Sequence, residues 1–377
     1  MSIRQVASPT ATGDNGTVKT LRLPVDPAHL DSEEARHAIA KAAEILRSGG
    51  LVALPTETVY GLAANALDDH AVIRIFDAKK RPSWDPVIVH IAGPVADNAM
   101  LKNLVTAIPE SARCLMAAFW PGPLTLLLPR SGAVPDSVTA GRPLVGIRMP
   151  AHPVAFELIL QADLPVAAPS ANIFGLISPT TAAHVLEDLE GRIDAILDAG
   201  PTQLGVESTV LDPNQTPMII YRQGAITADL IREIAGEVEV FQQVESLQSS
   251  PREALPSPGV GLRHYAPRAR LILVDVPLAE LAVGFARAAA ALGKERLGLM
   301  LPREIPNREL DAPLRAAAVF AWGRWEAPDE LAASLYAGLR ALDAQGCTVI
   351  LCPLPPAVGI GEAIRDRLRK AAFSAGV

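Results

Sequence analysis

The chain is poor in cysteine, aromatics and positive charge. Its 377 residues hold three cysteines, Cys114, Cys347 and Cys352. An odd number without C-x-x-C argues against a disulfide framework or a zinc site, so buried reduced thiols are expected. Aromatics make up 4%, too few for the stacking platforms that bind single-stranded RNA. Lys and Arg number 34 against 41 Asp and Glu, a formal net charge of -7. No strong direct nucleic-acid binding is expected, because such binding draws on a basic excess. No apolar run reaches the ~18 residues of a membrane span. The stretch from Met1 to about Thr17 lacks an apolar signal core, so no membrane association and a cytoplasmic location are expected. The chain has no G-x-x-x-x-G-K-[ST], no H-E-x-x-H and no G-x-S-x-G, which excludes a P-loop, a zincin site and a hydrolase nucleophile elbow. Gly359-Ile360-Gly361 lacks the third glycine of a dinucleotide fingerprint and follows the last expected strand.

What is abundant is apolar material, 49%, and proline, 33 residues. The first implies a packed core; the second asks for an explanation. Charge divides unevenly. Residues 1–245 carry 18 basic and 28 acidic side chains, leaving 16 and 13 of the totals for the rest. Short strand-like runs bounded by Pro, Gly or Asp occur at Leu51–Leu54, Val87–Ile91, Leu124–Leu128, Leu144–Ile147, Val166–Ala168, Ala195–Leu197, Thr209–Leu211 and Met218–Tyr221. Between them, Ser32–Ser48, Ala71–Ala78 and Val154–Gln161 carry helical periodicity. After a stretch with no clear period come strands at Leu271–Val274, Leu297–Leu301, Ala316–Phe320 and Thr348–Leu351. Helices at Ala279–Leu292, Pro328–Leu342 and Gly361–Ala372 alternate with them. The expected division is a tail over 1–17, an α/β domain over 18–240, a linker over 241–267 and a Rossmann-like parallel domain over 268–377.

Polar residues gather where the strands of the first domain end. Leu51–Leu54 runs into Pro55-Thr56-Glu57-Thr58, and a helix ends at Lys79-Lys80-Arg81-Pro82. Other runs lead to His90, Arg148, Ser170 with Asn172, and Arg222. Cations and hydroxyls so placed suit an anionic ligand such as ATP. Each also has a plainer reading: Lys79 and Arg81 as complements of a helix dipole, His90 as an edge histidine, Ser170 and Asn172 as turn residues, Arg148 and Arg222 as surface charges.

The motifs together resemble the YrdC-like family in its long, two-domain form. They are Leu54-Pro55-Thr56-Glu57-Thr58-Val59-Tyr60-Gly61-Leu62, Lys79-x-Arg81-Pro82, Pro86-Val87-Ile88-Val89-His90, Trp120-Pro121-Gly122-Pro123-Leu124-Thr125, Ser170-x-Asn172, Glu207-Ser208-Thr209-Val210 and Ser257-Pro258-Gly259-Val260-Gly261-Leu262-Arg263-His264-Tyr265-Ala266-Pro267. The resemblance covers about residues 18–377. It implies a twisted open α/β YrdC-like domain joined by a Pro/Gly-containing linker to a smaller Rossmann-like parallel α/β domain. It implies synthesis of threonylcarbamoyl-AMP from L-threonine, bicarbonate and ATP with release of pyrophosphate. Magnesium would accompany ATP, and the product would pass to a tRNA threonylcarbamoyl transferase complex. By resemblance, Lys79 and Arg81 hold phosphates and carry catalysis. Ser170, Asn172, Ser178, Arg222 and Ser257 complete the ATP site, and Thr58, His90 and Arg148 surround threonine. The linker is expected to cover the site as a lid. Asp85 stands where the family commonly has Asn, Leu144 and Ala168 replace hydroxyl residues of some members, and Phe174, Leu176 and Ile177 depart from the pattern before Ser178. An RNA-binding YrdC-like module without synthase activity is the alternative.

Overall fold

The computed structural model of the protein describes residues 19–242 and 265–373. Among these residues fifteen strands form two sheets. The first sheet comprises β1 (Leu21–Pro24), β2 (Val52–Pro55), β3 (Tyr60–Asn65), β4 (Ile88–His90), β5 (Leu124–Pro129), β6 (Leu144–Arg148), β7 (Val166–Ala167), β8 (Ala195–Asp198), β9 (Thr209–Asp212), β10 (Met218–Arg222) and β11 (Val238–Val240). Their spatial order is β1-β8-β2-β3-β7-β4-β6-β5-β9-β10-β11. Pairings are mixed: β2 with β3 and β5 with β6 are antiparallel, while β4 with β6 and β5 with β9 are parallel. The second sheet holds β12 (Arg270–Val274), β13 (Leu297–Pro302), β14 (Ala318–Gly323) and β15 (Val349–Pro353) in the order β12-β15-β13-β14, every pair parallel.

Local chemistry accounts for the helices. Ser32 accepts from the Ala35 amide at 3.1 Å and caps helix Glu33–Arg47, with Glu33 and Glu34 at its positive end. That helix buries Ala35, Ala38, Ile39, Ala42, Ala43 and Leu46 and packs on helix Pro153–Ala162. All eight expected strands of the first domain form, within about two residues of their expected ends. β1, β3 and β11 were not expected, nor were the helices Ala99–Leu104, Glu110–Phe119, Asp136–Thr139, Ala182–Leu189 and Ala228–Ala235. β3 is the instructive omission. Tyr60-Gly61-Leu62-Ala63-Ala64-Asn65 does not alternate because it is buried on both faces.

In the second domain, the helix expected from Ala279 begins as a 3₁₀ turn, Leu278–Glu280, and is α-helical only over Leu281–Ala289. Its β14 starts at Ala318, because Ala316 still ends the short helix Ala312–Arg315. The cysteine expectation needs one correction: Cys347 and Cys352 are buried, but Cys114 is exposed. Helix Glu110–Phe119 buries Ala112, Leu115 and Met116, which leaves Cys114 on its outer face. Among the described residues no helix is long and apolar enough to cross a membrane.

Candidate functional site

Helix Asp69–Lys79 delivers the first cation. It ends on Lys80, whose φ of 52° is left-handed. The Arg81 amide bonds the Phe76 carbonyl at 2.9 Å and the Lys80 amide bonds Asp77 at 3.3 Å, closing a Schellman-type turn. That turn sends Arg81 inward, where it is 8% exposed. Its guanidinium meets the Asp85 carboxylate at 2.9 Å and the carbonyls of Asp85 and Pro86 at 3.1 and 2.7 Å. Burial lowers the arginine's pKa and the Asp85 charge opposes that, so the group stays cationic. Asp85, which stands where the family commonly has Asn, has its charge offset by Arg81.

Arg81 shares one pocket with Thr58, His90, Arg148, Ser170 and Arg222, all singled out by sequence. The pocket is a cleft that opens to solvent. β4 and β6 run parallel with His90 opposite Arg148 in register, which explains why two strand ends far apart in sequence meet. Arg148 pairs with Glu57 at 2.8 Å, and donates to Thr58 Oγ1 at 2.9 Å and Gly122 O at 3.2 Å. Burial, together with the nearby Arg148 charge, pushes His90 down to about 3, so its imidazole is neutral at physiological pH. Its Nδ1 has no hydrogen-bond partner among the described residues. Arg222, at the end of β10, donates to the carbonyl and the hydroxyl of Ser208, each at 3.0 Å.

Three sequence-selected residues lie behind the pocket rather than on its lining. Lys79 is 1% exposed, and its Nζ binds the carbonyls of Ser170 and Asn172, each at 2.5 Å. It therefore shapes the S-x-N loop directly. Asn172 donates to Ile173 O at 2.9 Å and Leu176 O at 2.8 Å, and its buried Oδ1 has no partner among the described residues. Ser178 donates to Glu207 at 2.6 Å. Ser257 lies outside the described residues, as do the proposed lid over most of the linker and its Pro256 and Pro258. The linker's end is described: Tyr265 is 1% exposed and lines the pocket.

Sequence reasoning passed over Glu57, Glu207, Ser208 and Tyr265 as site residues, although each stands inside a motif it quoted. The usable signal was charge: an arginine at a buried strand end needs a counter-ion, and an acid lay in the neighbouring motif. Two proline carbonyls hold the strand beside the pocket. The Leu62 amide bonds Pro169 O at 2.7 Å and the Tyr60 amide bonds Pro179 O at 2.9 Å.

With this geometry in view, the likeness to known proteins is decisive. A relative named threonylcarbamoyl-AMP synthase from Pyrococcus abyssi is 42% identical over 332 residues, covering 88% of this chain and 92% of the relative. The chain belongs to the threonylcarbamoyl-AMP synthase family. A Bacillus subtilis member is 41% identical, over 89% of this chain and 92% of its own. The Sua5, YciO and YrdC family, described as "Telomere recombination", matches residues 44–224, and "Threonylcarbamoyl-AMP synthase, C-terminal domain" matches residues 226–373. The chain thus has the long form of the family. The crystal structure of Pyrococcus abyssi Sua5 complexed with L-threonine superposes with a TM-score of 0.83 at 39% identity, covering 94% of this chain and 98% of that one. The fold of the family extends over both sheets.

Proposed function

We propose that this protein makes threonylcarbamoyl-AMP from L-threonine, bicarbonate and ATP, as a nucleotidyltransferase releasing pyrophosphate. The observation that carries the proposal is the convergence of Arg81, Arg148 and Arg222 on one pocket, in an acidic member of a family whose relatives bear that activity in their names. The threonine amine would bond to the bicarbonate carbon, with loss of water, to give a carbamate. A carbamate oxygen would attack the α-phosphorus, and the bond to the β-phosphate oxygen would break as pyrophosphate leaves. No side-chain nucleophile is needed; positioning and charge compensation do the work.

At the threonine end, the Arg148 guanidinium suits a carboxylate in two-pronged fashion, with Thr58 beside it and Glu57 holding the guanidinium in place before ligand enters. The neutral imidazole of His90, its Nδ1 unpartnered among the described residues, offers a hydrogen-bonding nitrogen at this end. At the nucleotide end, Arg81 and Arg222 face the phosphates. Lys79 holds Ser170 and Asn172 at the nucleotide, where the unpartnered Asn172 Oδ1 and the Ser170 hydroxyl remain for bonding. Ser257 would join them from the linker. Magnesium would enter with ATP and offset part of the phosphate charge. The product would serve a tRNA threonylcarbamoyl transferase complex, in the cytoplasm.

Pyrophosphate release, assayed with threonine, bicarbonate and ATP each omitted in turn, tests the reading. Release only with all three present is expected. Salt-sensitive RNA binding without threonine-dependent ATP consumption would favour an RNA-binding module instead.

A further inference from the structure

Two side chains of the second domain reach the wall of this pocket. Glu207, which lines it, is 5% exposed. Its Oε2 accepts from Arg367 Nε at 2.7 Å and from the Tyr336 hydroxyl at 3.0 Å; its Oε1 accepts from Ser178 at 2.6 Å. Arg367 belongs to helix Gly361–Ala372, and its side chain has no exposed surface. It also donates to Gln223 O at 2.8 Å, pairs with Asp366 at 2.5 Å, and lies 5.1 Å from the centre of the Tyr265 ring. Tyr336, on helix Pro328–Ala344, stacks on Tyr265 at 5.9 Å.

An acid in the wall of a polyanion pocket is out of place unless its charge is cancelled, because a buried charge interacts strongly with a neighbouring phosphate. Burial alone would push the Glu207 carboxyl up. Arg367 and Arg222 pull it down instead, to about 2, so it is ionised at neutral pH. Arg222 is also one of the cations that faces the ligand. The other cation on Glu207 is Arg367, which Asp366 also pairs, and it comes from the other domain.

We infer that Arg367 is a positioning residue for the nucleotide: from the second domain it cancels the Glu207 charge at the pocket wall, leaving Arg222 free to act on ATP phosphates. The inference rests on the reading of this pocket as an ATP site. It gives the second domain a part in the first domain's chemistry.

The test uses the full chain with Arg367→Met, Glu207→Gln and the two combined. The KM for ATP and kcat are measured separately at low and high salt, with circular dichroism as a check on folding. Arg367→Met is expected to raise the KM for ATP about 10- to 100-fold, the scale of one charged hydrogen bond, with a smaller change in kcat. Glu207→Gln removes an anionic charge from the pocket wall and is expected to lower that KM by about 3-fold at low salt. The combined variant should move the KM back towards the wild-type value. A merely structural Arg367 would leave the combined variant as impaired as Arg367→Met alone. Should Arg367→Met fail to fold, the other two variants still decide. An unchanged or raised KM in Glu207→Gln, or a combined variant as impaired as a folded Arg367→Met, would overturn the inference. If the wild-type chain uses no ATP with threonine and bicarbonate, the reading of the pocket fails. The counter-charge role then stands or falls on an isotope-edited titration of the Glu207 carboxyl, which Arg367→Lys should leave low and an Arg367→Gln variant should shift upwards.

Discussion

Arg81 is held by protein groups before any ligand arrives: one carboxylate and two carbonyls fix its guanidinium. A cation so fixed needs no reorganisation when charge develops on the phosphates, which is where an aimed donor is most effective. Arg81→Ala is therefore expected to lower the turnover number by at least about 100-fold, read as pyrophosphate release at saturating substrates. Near wild-type release would remove Arg81 from the catalytic group. Arg148 is a different case, because its three nitrogens already serve Glu57, Thr58 and Gly122. A lysine cannot reproduce that fork. Arg148→Lys should raise the KM for threonine about 10- to 100-fold while leaving the KM for ATP within a few-fold; equal changes in both would contradict its proposed place at the threonine end.

Among the elements, the helix ends and one glycine do most to place the site. The left-handed Lys80 that closes helix Asp69–Lys79 decides where Arg81 points. Across the domain boundary, Gly205 has a φ of +71°, and a Cβ there would lie 2.3 Å from Ala332 O and 2.6 Å from Ala333 Cα. Helix Pro328–Ala344 therefore seats directly on this backbone, and both the dihedral and the space require glycine. The same helix carries Tyr336 to Glu207, and Arg340 to Asp188 at 2.7 Å and Ile177 O at 2.5 Å. Gly205→Ala should cost about 1–3 kcal/mol, the scale of overpacking, in urea unfolding. It should also weaken ATP binding through the displaced helix. An unaffected midpoint would mean that the helix can retreat without loss.

On the scale of the whole molecule, the buried His90 and the half-buried His184, both neutral, shape the response to acid. His90 is held at about 3 and His184 at about 4, burial being the first cause in both and a nearby arginine the second. The unfolded chain protonates these imidazoles below about 6.5, whereas the folded chain resists until pH 4 to 3. Their contribution to stability is therefore complete above about pH 6.5 and is lost as the pH falls from there. The urea midpoint should decline between pH 6.5 and 4. The depressed carboxyl of Glu207 adds to the loss below about 4.5, its ordinary value. His90→Gln should flatten the upper part of that decline. A profile as steep as wild type would assign it to other groups.

How much of this was legible in the sequence follows from what each signal depends on. Ser32 capping a helix, the stop at Gly49-Gly50, the short apolar runs of β2 and β4 to β10, and the strand-helix alternation of the second domain all depend on residues near one another in the chain. Local periodicity and turn chemistry determined them. The cations at Arg81, Arg148 and Arg222 were legible as well, because strand ends and acidic surroundings mark them. Only the tertiary structure decided what those cations face. Pairing β4 with β6 set His90 against Arg148, and burial of Lys79 turned a free cation into the anchor of a loop. The contact between two domains put Arg367 on Glu207, 160 residues apart. Counter-ions across such distances leave no periodic trace. They are fixed by the need to pair a buried charge, and the chain meets that need only once its parts have come together.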